Sequence, residues 1–206
     1  MKTLNIIKKY SHFLLIFALI ITIIIIIYIH ICNKNKKFEY VYKENILDKN
    51  DFNFLLSELD KYNDQLERSD EKMDFVLRKN MELNAPIIAN LIKKYENKIK
   101  KLVDNQRIYL ANNHPMEYRK YFKGSYMSKH TDELIYKIPQ YECVLTLSNT
   151  TDSTTNLGKK RIHAKPNSII IVKAKGIEHE VTPVNQGERK FLKFIFTETN
   201  EFANNS

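Results

Sequence analysis

His130-Thr131-Asp132 sets an imidazole and a carboxylate two residues apart, and a second imidazole, His179, follows 47 residues after the aspartate. Two neutral imidazoles and one carboxylate are the donor set that holds a non-haem Fe(II) on one face and leaves the opposite face open. Residues i and i+2 of an extended strand point the same way, so the spacing predicts that His130 and Asp132 converge on one ion. In a chain with six histidines such a triplet arises readily by chance. The segment around His179 adds independent information. It reads His179-Glu180-Val181-Thr182-Pro183-Val184-Asn185-Gln186-Gly187-Glu188-Arg189, which puts a guanidinium ten residues after the imidazole. His114 and His163 have no partners at matching spacing and read as structural. Glu142 and Glu180 are candidates for substrate contact on adjacency alone.

This segment resembles the C-terminal core motif of the 2-oxoglutarate- and Fe(II)-dependent dioxygenases, and within them the prolyl 4-hydroxylase-like group. The pattern is a distal histidine, Pro-Val four and five residues later, glycine at eight and a basic residue at ten. Here Pro183, Val184, Gly187 and Arg189 stand at those places. Upstream, Tyr121-Phe122-Lys123-Gly124 is similar to the family's Tyr-x-x-Gly segment, with the tyrosine nine residues before His130. The likeness covers about residues 115–197. Two departures stand out. The Gly-Gly-Glu-Thr-like element expected after the central strand is replaced by Asn149-Thr150-Thr151-Asp152-Ser153-Thr154-Thr155, and arginine occupies a place where many members carry lysine.

The resemblance implies a role for each residue. His130, Asp132 and His179 would ligate Fe(II); the open positions would take the keto-acid end of 2-oxoglutarate and O2. Arg189 would hold the far carboxylate of 2-oxoglutarate, a contact that a guanidinium fork makes in bidentate, charge-assisted form. The Tyr121 hydroxyl would be a second donor there. Ascorbate is a further cofactor that the family uses. The implied reaction couples oxidative decarboxylation of 2-oxoglutarate to hydroxylation of a substrate C–H bond, with a peptide or protein as partner. Peptidyl proline leads as the target, with peptidyl lysine, or hydroxylation or demethylation of another substrate as in other members of the superfamily, as the runner-up. The competing reading is a catalytically silent, membrane-displayed jelly-roll binding protein; intact ligands and Arg189 argue against it.

Helices and strands must position these groups. From residue 51 to about 110 the pattern is helical: Asp51 is a candidate cap for a helix with Phe54, Leu55, Leu59 and Tyr62 on one stripe. Pro86 opens a second, with Ile87, Ile88, Leu91, Ile92, Tyr95, Ile99 and Leu102 on its buried side. From residue 111 to 206 the texture changes to short strands, clearest at 141–147, 168–172 and 190–196, with Pro166-Asn167 as a turn. All four glycines lie in that half, where tight turns are needed. Helices followed by a run of strands predict an α+β domain over 51–206, a double-stranded β-helix (jelly-roll) barrel with supporting N-terminal helices.

Residues 13–32 are almost wholly apolar, interrupted only by Thr22, Tyr28 and His30. The length matches the hydrocarbon core of a bilayer, and the absence of a polar face argues against a buried core helix. No small-residue cleavage pattern follows, so an uncleaved signal anchor is expected, between a tail at 1–12 and a charged stalk at 33–50. Lysines flank both ends (Lys2, Lys8 and Lys9 before, Lys34, Lys36, Lys37 and Lys43 after), so charge asymmetry sets no orientation. By analogy with membrane-anchored members of the resembled family, the catalytic domain is expected in the lumen of the endoplasmic reticulum. Asn149-Thr150-Thr151 and Asn204-Asn205-Ser206 are glycosylation sequons.

The net charge of +9 resembles a nucleic-acid signal until it is partitioned. Residues 1–37 hold six lysines and no acids, which leaves 27 basic against 24 acidic side chains, or +3, for the rest. Most of the excess flanks the membrane, and the remainder is too balanced for a phosphate-binding footprint, so a nucleic-acid partner is not expected. The two cysteines, Cys32 and Cys143, supply no disulfide framework.

Overall fold

The computed structural model describes residues 17, 19–28, 38–68, 76–111 and 113–198. The chain divides into two units, Met1–Phe38 and Glu39–Ser206. In the first, residues 17 and 19–28 are helical, with Phe17, Leu19 and the isoleucines each at least 42% exposed. Among the described residues no helix is long and apolar enough to cross a membrane. The span expected at 13–32 runs outside the described residues at both ends.

The second unit opens with β1 (Tyr40–Glu44), α1 (Lys49–Asp60), a 3-10 turn at Asn63–Gln65, β2 (Glu67–Arg68), β3 (Val76–Leu77) and β4 (Lys79–Leu83). Helices α2 (Pro86–Lys94) and α3 (Glu96–Leu102) follow. Then come β5 (Tyr109–Leu110), β6 (Met116–Tyr121), β7 (Tyr126–His130), β8 (Gln140–Asn149) and β9 (Thr155–Leu157). The last strands are β10 (Lys160–Ile162), β11 (Ser168–Lys173), β12 (His179–Val181) and β13 (Arg189–Thr197). The larger sheet runs β1-β11-β8-β13-β6-β4-β2, with β5 also paired to β13; the smaller runs β10-β9-β12-β7-β3. Residues of both sheets line one cavity, which is the two-sheet arrangement of the jelly roll expected.

The central strands of the larger sheet are buried on both faces. On β11, Ile170 and Val172 join Leu157, Ile162 and Ala164 in the core between the sheets. Alternation turns Ile169 and Ile171 to the opposite face, and both are fully buried there. A sheet apolar on both sides needs a second cover. The three helices carry buried apolar side chains of the kind such a cover needs: Leu55, Leu59, Ile88, Ile92 and Ile99, none more than 1% exposed. Each such side chain contributes about 1.5–3 kcal/mol relative to exposure. Asn167, at φ 58°, ties this layer to the sheet: its amide accepts from Leu47 N at 2.9 Å and donates to Leu47 O at 2.8 Å. That is the turn expected at Pro166-Asn167.

Several expectations need correction. Tyr40–Glu44, placed in the stalk at 33–50, is the edge strand of the larger sheet, paired antiparallel with β11 from Tyr40↔Val172 to Glu44↔Ser168. The segment read as purely helical support, 51–110, also carries β2, β3 and β4. The helix capped by Asp48, without a side-chain cap bond, begins at Lys49; Asp51 sits in its first turn. There Asp51 accepts from Lys94 Nζ at 2.6 Å and from the Tyr95 hydroxyl. The long second helix is broken at Tyr95 (φ −96°, ψ 4°), and Ile87 is 51% exposed rather than on the buried stripe.

Candidate metal and cosubstrate site

His130 is the last residue of β7 and His179 the first of β12, and the two are cross-strand partners in the smaller sheet. Pairing alone therefore brings the imidazoles together, with ring centroids 4.4 Å apart. Asp132 lies beyond the strand, so its carboxylate does not arrive by the same-face alternation that the spacing suggested. It arrives on a turn whose backbone is pinned where Lys175 N–H donates to Asp132 O at 2.8 Å. The carboxylate stands 3.6 Å from His130 Nε2 and 3.4 Å from His179 Nε2. All three residues offer ligand atoms within 4.8 Å of one another.

Each imidazole is oriented through its other nitrogen. His130 Nδ1 lies 2.8 Å from Ser128 O and His179 Nδ1 3.2 Å from Ile177 O. A backbone carbonyl at Nδ1 favours the tautomer with the proton there and leaves Nε2 as a lone-pair donor, the arrangement metal-binding histidines use. Burial alone would raise the Asp132 carboxyl, but the His130 hydrogen bond and the nearby His179 and Lys193 charges outweigh it and hold it below its ordinary value. It is therefore a carboxylate at neutral pH. Burial lowers His179, while the hydrogen bond to Asp132 raises His130. The donor set thus fits a divalent metal with open coordination positions.

The same cavity, about 340 Å³, is lined by Arg189 and Tyr121. Arg189 opens β13 directly opposite Tyr121 on β6. Its guanidinium is 1% exposed, donates from Nη1 to Thr155 Oγ1 at 2.8 Å, and leaves its buried Nε without a hydrogen-bond partner. Burial lowers its pKa to about 10, which still leaves it charged near neutrality. A buried cation with an open donor is an unfinished site for an anion. Tyr121, fully buried, packs edge-on against Phe191; its hydroxyl lies 3.8 Å from Met127 Sδ and also pairs with the Arg78 guanidinium.

The motif residues between His179 and Arg189 act through the backbone. Val184 packs with Tyr121, Val181 and Phe191 in the inner core, and its N–H donates to Ser125 O at 2.9 Å. Gly187 has φ 76°, and a Cβ there would lie 2.2 Å from Thr150 O. Only glycine allows that turn, which delivers Arg189 to the cavity.

Other expectations divide. Glu142 lines the cavity, paired with Lys193, whereas Glu180 is outside it and accepts from Asn156 Nδ2 at 2.6 Å. His163 bonds Thr151 O at 2.8 Å and His114 stacks edge-on with Tyr136; neither joins the cluster. Sequence reasoning missed Thr155, the partner of Arg189, which sits at the end of the departing 149–155 stretch. It also missed Arg78, Arg119 and Lys193 on the cavity wall. Gln140 was a further omission. Fully buried, it accepts from Ile135 N at 2.9 Å and donates to Glu133 O at 3.2 Å, bracing the turn that follows Asp132. A lone glutamine in a strand carries no spacing signal.

No family model and no curated protein matches the sequence. Solved structures do match the fold. A Pseudomonas putida prolyl-4-hydroxylase superposes with a TM-score of 0.59 at 12% identity, over 78% of this chain and 93% of that one. A viral collagen prolyl hydroxylase of Paramecium bursaria Chlorella virus-1, solved as a 2-oxoglutarate complex, gives 0.57 at 13% identity over 79% and 98%. A prolyl hydroxylase of Trichoplax adhaerens, solved with a peptide fragment of the hypoxia inducible factor oxygen degradation domain, gives 0.61 at 11% over 84% and 90%. At such identities the shared property is architecture: the chain has the jelly-roll fold on which these prolyl hydroxylases are built.

Proposed function

We propose that this chain is an Fe(II)- and 2-oxoglutarate-dependent dioxygenase that hydroxylates a protein side chain, with peptidyl proline as the target. One observation carries the reading: the His130, Asp132 and His179 cluster and the open guanidinium of Arg189 line a single cavity. Iron bound at the cluster would supply O2 activation coupled to oxidative decarboxylation of the keto acid. The chain's own residues do the rest. His130, Asp132 and His179 would hold the ion from one side. Arg189 would bind the far carboxylate of 2-oxoglutarate, with Tyr121 as second donor, and so aim its keto-acid end at the metal. Val144, Leu157, Val181 and Phe191 make the surrounding wall apolar and keep water from the reacting centre.

The peptide assignment is supported by the Trichoplax enzyme, whose structure holds a peptide in a protein of the same fold. Residues 13–32 would anchor the protein in a membrane with the catalytic unit in the lumen, and ascorbate would serve as reductant as in the resembled family. The test is 2-oxoglutarate turnover by the full-length protein with Fe(II), followed by mass spectrometry of proline- and lysine-containing peptides. Succinate formation with one oxygen gained on proline supports the reading. Absence of 2-oxoglutarate consumption overturns it, and oxygen gained on lysine moves the target.

A further inference from the structure

The wall of the larger sheet that faces the metal cluster carries more positive charge than it neutralises. Strand pairing arranges it in layers. Tyr121 stands opposite Arg189 on one side, and Arg78 immediately precedes β4 on the other. One layer along, Arg119 pairs with Phe191 across the sheet, and the next brings Glu117 opposite Lys193. Arg78, Arg119 and Lys193 all line the cavity, with side chains 12%, 8% and 15% exposed. Two carboxylates answer these three cations. Glu142 is taken by Lys193. Glu117 is taken by Arg119, which donates from Nε at 2.8 Å and lies 2.6 Å away through Nη2. Both contacts fall on the same oxygen, Oε2, and Arg78 Nη2 is left 3.8 Å from it, beyond hydrogen-bond reach. The buried Nε of Arg78 has no partner. Burial and then the Arg119 charge disfavour the Arg78 cation and outweigh the support it draws from Tyr121 and Glu117.

Arg78 thus shares its one carboxylate with Arg119 at a longer distance and keeps an open nitrogen, which leaves it donor capacity for a further anion. The far carboxylate of the keto acid has its own open guanidinium at Arg189, and the other end of that molecule belongs at the metal. The remaining anion must come from the primary substrate. We infer that Arg78, held beside Arg119, is a recognition site for a carboxylate carried by the substrate next to the residue that is modified. This rests on the oxygenase reading of the cavity and names its substrate class: an acidic peptide, not a neutral or basic one. Arginine suits the task, because its fork pairs a carboxylate in a defined orientation and so fixes which C–H bond faces the metal.

The carboxylate has two possible sources, an acidic side chain or a free C-terminus, and paired peptides separate them. Amino-terminally labelled proline peptides, identical except for Glu or Gln beside the proline, each with a free or amidated C-terminus, are titrated by fluorescence anisotropy. The titrations use the full-length protein loaded with Mn(II) and 2-oxoglutarate. Binding of the Glu peptides at least tenfold tighter than the Gln peptides is the expected result, with that preference lost in Arg78→Gln while Mn(II) and 2-oxoglutarate affinities stay unchanged. If only the free C-terminus matters, the carboxylate is terminal and the site stands with that source. Equal binding of all peptides to the unsubstituted protein, or binding of none, overturns the proposal. So does a loss of 2-oxoglutarate affinity in Arg78→Gln, which would make Arg78 a second clamp for the keto acid. A protein that prefers acidic peptides through Arg78 yet consumes no 2-oxoglutarate would overturn the oxygenase reading alone.

Discussion

Removing either imidazole from the cluster takes one of three donors from the ion, so His130→Ala and His179→Ala should each abolish Mn(II) binding measured by calorimetry. His163→Ala should not, because that ring is engaged with Thr151 O and is no part of the cluster. Equal binding by all three variants would defeat the metal assignment. Arg189 makes the second residue-scale prediction. Its guanidinium is buried, and truncating one partner of a buried charge pair costs about 2–5 kcal/mol. Arg189→Ala should therefore raise the dissociation constant for 2-oxoglutarate at least tenfold by the affinity scale, with Mn(II) binding retained, and Arg189→Lys should recover part of it. An unchanged constant would mean that another cation holds the cosubstrate. These residues were legible because spacing and type coincide in His179-to-Arg189. Arg78 and Arg119 were not, because they reach the cavity through the pairing of β4 with β6, which no linear spacing records.

At the scale of elements, two turns decide how well the site is held. Gly187→Ala forces a side chain into a left-handed backbone at φ 76° and against Thr150 O. Such strain costs about 1–3 kcal/mol before any clash is counted. The variant should melt lower in differential scanning calorimetry and lose 2-oxoglutarate affinity, since Arg189 follows two residues later. A normal Tm with intact binding would show that the turn relaxes freely. Asp51 joins α1 to α2 and has a pH signature. Hydrogen bonds from Lys94 and then Tyr95 hold its carboxyl below the ordinary value of 3.8. A depressed carboxyl stabilises the fold above 3.8 and loses that contribution as pH falls through its folded value. The Tm gap between the unsubstituted protein and Asp51→Asn should be present at pH 7 and close below pH 3.8; a gap independent of pH would assign it to packing. The inner strands were legible from continuous apolar runs such as Ser168–Lys173. The edge strands were not: Tyr40–Glu44 and Lys79–Leu83 carry charged and polar residues, and backbone pairing with a neighbour makes them strands. The break at Tyr95 was equally hidden, since the apolar stripe continues through it.

For the whole molecule, the proposed function raises the question of where the unit Glu39–Ser206 would meet a substrate. The unit Glu39–Ser206 contains both sheets and helices α1 to α3, with β1 on one edge of the larger sheet. The anchor proposed at 13–32 rests on an apolar run of 20 residues, a length that suits a bilayer. Full-length protein should resist extraction from membranes by alkaline carbonate and retain its N-terminal peptide by mass spectrometry. Release into the supernatant, or a mature N-terminus beyond residue 32, would defeat the anchor. Side is a separate matter, because lysines balance across the run. If the unit Glu39–Ser206 is lumenal, as proposed, protease added to sealed microsomes should spare it. Digestion would reverse the orientation and leave the span untouched. Glycan is a weaker reporter at Asn149, whose side chain already donates to Ala164 O at 2.9 Å and accepts from Thr151. That amide is occupied by the loop that carries Thr155 to Arg189. A glycan attached there before folding would have to displace it, so Asn149→Gln should lower 2-oxoglutarate affinity whether or not the residue is ever glycosylated.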